Sequence, residues 1–149
     1  PPNRGKIYFM EKSLSIFTDG GSRGNPGLAG IGVIIKDGRG KKLAKIAEKI
    51  GRETNNVAEY KADIPGLKWL KENLQSQNSY NHDVSFFLDS ALVANQLTGR
   101  FKIKNAGLKR LALEAKTLEK SLGGEVFYHA IPREKNREAD FLVNQALDN

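Results

Sequence analysis

Residues 84–99, VSFFLDSALVANQLTG, decide the fold. The stretch opens as an apolar run continuous enough for a strand buried on both faces, reaches Asp89 and Ser90, and continues as a short helix that stops at Gly99. That is a β-α unit with an acid at the strand end. After FKIKN, residues 107–122 (GLKRLALEAKTLEKSL) place Leu108, Leu111, Ala115 and Leu118 on one helical face, closed by Gly123 and Gly124. EVFYHAI (125–131) then reads as another strand. Strands joined through helices favour parallel pairing, so the chain belongs to the α/β class.

Working towards the N-terminus, SLSIFTD (13–19) is rich in β-formers and runs into GGSRGNPG, which predicts a strand that closes at Asp19 and gives way to a loop. AGIGVIIKD (29–37) is a second strand, followed by the tight-turn signal DGRG. KKLAKIAEKI (41–50) carries Leu43, Ile46 and Ile50 at helical spacing, yet a basic strand after the turn is equally natural, and the strand reading gives a three-stranded antiparallel meander. Thr54 offers an N-cap to a helix over NNVAEYKADIPGLKWLKENL, with Val57, Tyr60, Ile64, Leu67 and Leu74 inward. Pro65 has no N–H for the carbonyl of Lys61, so a kink or two shorter helices is expected, at ~3 kcal/mol if unrelieved. Residues 75–83 form a polar loop, PREKN (132–136) another, and READFLVNQAL (137–147) a last helix. The order predicts a mixed sheet flanked by helices.

A chain of 149 residues, 39% of them hydrophobic, can bury one core: residues 13–149 read as a single catalytic domain, with 1–12 as an extension or cloning remnant. The absence of cysteine excludes disulfides, a thiol nucleophile and thiolate-bound zinc. A net charge of +7 favours a polyanionic partner, nucleic acid ahead of an anionic membrane surface. No apolar run approaches the roughly 18 residues of a membrane span, and the first residues lack a signal-peptide core, so a cytoplasmic location is expected.

Four acids stand out by position: Asp19 and Asp89 at strand ends, Asp140 near the start of the last helix, and Glu59 in the first turns of the long one. Each alone has an ordinary explanation as a turn residue, a cap or a solvated charge. Brought together, carboxylates from distant segments can bind hard divalent cations, and two such ions ~4 Å apart can cleave a phosphodiester.

As a set, FTDGGSRGNPG, TNNVAEY, FFLDS and PREKNREAD resemble the type 1 ribonuclease H family from residue 14 to the C-terminus. The resemblance implies the ribonuclease H-like fold, a five-stranded mixed sheet of order 3-2-1-4-5 flanked by helices. It also implies hydrolysis of the RNA strand of RNA/DNA hybrids by two Mg²⁺ ions, with Mn²⁺ as an alternative, leaving a 5′-phosphate and a 3′-hydroxyl. Asp19, Glu59, Asp89 and Asp140 would be both catalytic and metal-binding, with Glu59 helping to orient the water near the RNA 2′-hydroxyl. Asn25, Asn55 and Asn56 match residues that meet the hybrid's minor groove, where the 2′-hydroxyl distinguishes RNA. Arg52, Thr54 and Asn105 match a grip on a DNA phosphate, which a helix start with side-chain donors suits. The partner implied is the hybrid alone, with the protein as a monomer and no membrane.

The sequence departs from the family in several places. The histidine-bearing loop before the last aspartate is shortened to PREKN, leaving Arg133 or Glu134 to assist, with Asn136, four residues before Asp140, as a further substrate contact. The basic protrusion of some members is missing, although Arg100, Lys102, Lys104, Lys109 and Arg110 could track phosphates. Trp69 reads as core and His129 as structural. Ala91 replaces a longer polar side chain, which predicts weaker binding, and Asp63 reads as destabilising or tolerated near the surface. Two other functions fit the same motifs: a related nuclease acting on another nucleic acid, and a catalytically silent hybrid-binding module.

Overall fold

The computed structural model describes residues 13–74 and 83–149; residues 1–12 and most of the polar 75–83 segment lie outside the described residues. The chain runs β1 (Ser13–Gly24), β2 (Gly27–Lys36), β3 (Lys42–Glu53), α1 (Asn55–Leu74), β4 (Asp83–Leu88), α2 (Ala91–Leu97), α3 (Ala106–Leu122), β5 (Val126–Ala130), a 3₁₀ turn (Arg133–Lys135) and α4 (Arg137–Asp148). The strands form one sheet of order β3-β2-β1-β4-β5, antiparallel across the first three and parallel from β1 to β4 to β5. The expected class, topology and strand order hold. Among the described residues no helix is long and apolar enough to cross a membrane.

Alternation along the strands sorts the side chains into two layers. Leu14, Ile16, Val33, Ile35, Val84 and Phe86 face α1 and α3, where Tyr60, Leu67, Leu70, Leu108 and Ala115 complete the main core. Each fully buried Leu, Ile, Val or Phe contributes about 1.5–3 kcal/mol. Trp69 packs against this core, as expected. On the opposite face α4 covers β2, β3 and β1, with Ala139, Leu142, Val143 and Ala146 buried.

Three local expectations need correction. β1 does not close at Asp19 but stays paired with β2 to Gly24, leaving only Asn25 and Pro26 to turn. A glycine-rich run can remain extended when a partner strand supplies its hydrogen bonds, and here β2 does so. β4 alternates rather than being buried on both faces: Ser85 and Phe87 are only half-buried, because α4 lies over β1–β3 and not over β4. Finally, α1 is a single helix with Pro65 inside it, so the reading as two shorter helices does not hold. Pro65 and Lys61 are both only half-buried, so water can satisfy the carbonyl that the proline leaves without a donor.

Asp63 is neither near the surface nor in the cleft. It is 2% exposed on the core side of α1, with Tyr128 Oη 2.9 Å from its Oδ2. The same hydroxyl lies 2.6 Å from Glu119 Oε2, and Lys116 pairs with Glu119 at 3.2 Å while its Nζ stands 5.6 Å above the Tyr128 ring. One O–H cannot donate to both carboxyls at once. The arrangement is satisfied when Asp63 keeps its own proton, and burial pushes its carboxyl up to about 8; the Tyr128 hydrogen bond and Lys116 oppose that rise, while the Glu119 charge adds to it.

Candidate active site

The parallel pairing of β1 with β4 ends at Phe17↔Phe87, whose rings stack 5.0 Å apart. Asp19 and Asp89 each lie two residues beyond that pair, so the alternation of extended chain sends both carboxylates out on the same face at the point where the strands part. Asp19 is therefore at the end of the parallel pairing even though its own strand continues.

Glu59 and Asp140 reach this place because two glycines leave room for helices. A Cβ on Gly20 would sit 2.2 Å from the Ala58 carbonyl oxygen and 2.6 Å from the Glu59 nitrogen, so α1 touches β1 backbone to backbone just where Glu59 leaves the helix. Gly32, the register partner of Asp19, plays the same part on the other face: a Cβ there would meet the Ala139 carbonyl oxygen at 2.3 Å. This seats α4 so that Asp140 follows directly. The helix start is fixed further by Asn136, whose Nδ2 donates to the Thr18 carbonyl at 2.9 Å. Asn136, expected to touch substrate, is 1% exposed and holds α4 to β1 instead.

All four acids line one cleft of about 300 Å³, together with Asn55, Arg133 and Asn144. Burial, then the charges of Asp89 and Asp140, a hydrogen bond with Asp140 and the charge of Glu59 push Asp19 up to about 8. Burial and Asp89 push Glu59 up to about 7, while a hydrogen bond from Ser90 and the charge of Arg133 work the other way. Among the described residues no three of these side chains form a ready-made ligand group.

The remaining expected residues divide. Thr54 Oγ1 accepts from the Val57 N–H and caps α1. Asn55 Oδ1 accepts from both the backbone N–H and the hydroxyl of Ser22, and Asn25 Oδ1 accepts from the Asn55 N–H, so the β1–β2 turn is tied to the helix start beside the cleft. Arg52 and Asn56 are exposed at that end. Asn105 caps α3 by accepting from the Leu108 N–H, also at an exposed position. Arg133 lines the acid cleft, whereas Glu134 lines an adjoining groove. His129 stacks on Phe87 at 5.1 Å and contacts Ser85, in keeping with a structural role, and Ala91 is exposed at the start of α2.

Two contributors went unread in the sequence. Ser90 both caps α2, through Val93 N–H at 3.1 Å, and reaches Glu59. Asn144 follows Asp140 by one helical turn, and its Nδ2 donates to the Asp140 carbonyl. The helical interval from Asp140 was the available signal for Asn144; for Ser90 only the cap was legible.

Residues 17–146 match a family profile described as reverse transcriptase-like. The bifunctional protein Rv2228c of Mycobacterium tuberculosis is 38% identical over 134 residues, which cover 89% of this chain and 35% of that one. A ribonuclease H of Campylobacter concisus is 34% identical over 146 residues, covering 91% of this chain and 94% of its own. Among solved structures, LC11-RNase H1 in complex with an RNA/DNA hybrid superposes with a TM-score of 0.85 at 40% identity, covering 91% of this chain and 96% of that one. The chain spans about a third of the length of the first curated relatives it matches.

Proposed function

The chain belongs to the type 1 ribonuclease H family, and on that premise we propose that it cuts the RNA strand of RNA/DNA hybrids endonucleolytically, by two-metal-ion hydrolysis that leaves a 5′-phosphate and a 3′-hydroxyl. The observation that carries this reading is the convergence of Asp19, Glu59, Asp89 and Asp140, from four different elements, on one cleft.

The donor set fits hard divalent cations. Asp19 and Glu59 are raised to about 8 and about 7 largely by burial and by neighbouring carboxylates, and such crowded oxygens are what Mg²⁺ or Mn²⁺ relieves. Asp19 and Asp89 would be the central ligands, with Glu59 and Asp140 on either side. When bound, divalent ions supply the Lewis acidity that activates a water and offsets charge on the leaving oxygen.

The protein's own groups position the substrate around that centre. Ser90 holds the Glu59 carboxyl, and Arg133 adds positive charge beside it where a phosphodiester must approach four acids. The Oδ1 atoms of Asn25 and Asn55 are engaged within the fold, and their amide Nδ2 groups have no hydrogen bond to another described residue, which leaves donors for a 2′-hydroxyl. Asn56 stands beside them. Arg52, the start of α1 at Thr54, and Asn105 supply donors to a phosphate of the DNA strand.

Incubation of matched RNA/DNA hybrid, duplex RNA and duplex DNA with the protein in Mg²⁺ tests the function. Cleavage confined to the RNA of the hybrid is expected; equal cutting of duplex RNA would refute hybrid specificity, and binding without cutting would leave a silent hybrid-binding module. Cleavage should give 5′-phosphate ends from a monomeric protein, read by end-labelling and by sedimentation.

A further inference from the structure

Phe141 follows Asp140 directly, on the solvent side of α4, and is 64% exposed. A single exposed aromatic is common on protein surfaces, so exposure by itself decides nothing. Its surroundings are more specific. Phe141 lines a groove of about 560 Å³ with Arg133, Glu134, Arg137, Asp140 and Asn144, and three of those residues, Arg133, Asp140 and Asn144, also line the acid cleft. The groove is thus a continuation of the cleft past its last acid.

Arg137 and Phe141 are four residues apart on α4, hence one above the other on the same face. Arg133 stands at the junction with the cleft. Glu134 and Asp140 place negative charge in the groove as well, so two arginines face two acids and charge alone would not hold a phosphate chain there. An aromatic face beside guanidinium groups is instead the arrangement that receives an unpaired base, by stacking and with Arg contact to the flanking phosphate or ring. Bases within a duplex are already stacked on one another and cannot use it.

We propose that this shelf binds a nucleotide of the RNA strand where that strand leaves the hybrid as a single-stranded extension. The inference rests on the hybrid-cleaving reading, which puts the RNA strand at the acids, and the groove runs on from there to Phe141. The occupant is unpaired RNA, because the groove continues the cleft that holds the strand being cut.

Four hybrids with the same duplex test it: blunt, with an RNA-strand extension at either end, and with a DNA-strand extension. Binding is measured by fluorescence anisotropy in EDTA, and KM for cleavage in Mg²⁺. An RNA extension at one end should tighten binding roughly tenfold over the blunt hybrid, the equivalent of about one base-aromatic stack. Phe141→Ala should bring that ratio to one, and Phe141→Trp should keep it. Equal binding of blunt and extended hybrids, an equal gain from the DNA extension, or a gain that survives Phe141→Ala would each overturn the shelf. Because the anisotropy ratio needs no cleavage, failure to cut any hybrid would overturn the proposed activity while the ratio still decides the shelf.

Discussion

At the residue scale, the four acids divide the work unequally. Asp19 and Asp89 are set by strand register and have little freedom, whereas Glu59 depends on Ser90 and Asp140 on the docking of its helix. Replacing Asp89 by Asn keeps size and removes charge, so cleavage of hybrid should fall by at least ~10³-fold, in the range that loss of a charge-stabilising group commonly costs, while affinity for the hybrid falls little. Gel-based cleavage and anisotropy on the same variant check the split. Asp63 poses a different question, because its carboxyl is raised and its proton is part of the packing. For an acid with a raised folded pKa, the folded state binds more protons, so the stability that Asp63 contributes is fully present below about pH 4 and is lost as pH rises to about 8. Asp63→Asn removes that decline, and the wild-type Tm should drop by several degrees more than the variant's between pH 5 and pH 9. Parallel curves for the two proteins would show that Asp63 is charged throughout. Nothing in the sequence pointed to this pairing, since Tyr128 lies 65 residues away and meets Asp63 only when β5 joins the sheet.

The next scale is that of the elements, where the seats at Gly20 and Gly32 matter most. In either strand a methyl group would meet helix backbone rather than a side chain that could turn aside. Gly20→Ala and Gly32→Ala should each cost about 1–3 kcal/mol of stability by overpacking, and should reduce cleavage further by lifting Glu59 or Asp140 from the cleft. Chemical denaturation and hybrid cleavage measured together separate the two effects. The elements themselves were largely legible in the sequence, because alternation and helical spacing survive the fold: the meander, the β-α unit and the amphipathic α3 are all present. The end of β1 was not. Glycines that look like a turn in isolation are held straight by β2, and that depends on pairing between chain segments rather than on local preference. Pro65 does not divide α1 for a similar reason, as its cost depends on whether water reaches the freed carbonyl.

For the whole molecule, charge and layering take over. Arg100, Lys102, Lys104, Lys109 and Arg110 are all exposed on the α2–α3 connection and the first turns of α3, flanking Asn105 on both sides in the sequence. Affinity for hybrid should fall steeply with salt, and Lys102→Gln with Lys104→Gln should flatten the log–log slope by ~0.9 for each phosphate contact removed. A slope unchanged by both substitutions would place these lysines outside the interface. Glu59 and Asp140 come from helices on opposite faces of the sheet, and the cleft lies where the two faces meet. Whatever cation or strand fills it ties three stacked layers at one point, in the manner of a rivet through a laminate. Filling the site should therefore slow amide exchange in α1 and α4 together, although neither helix rests on the other.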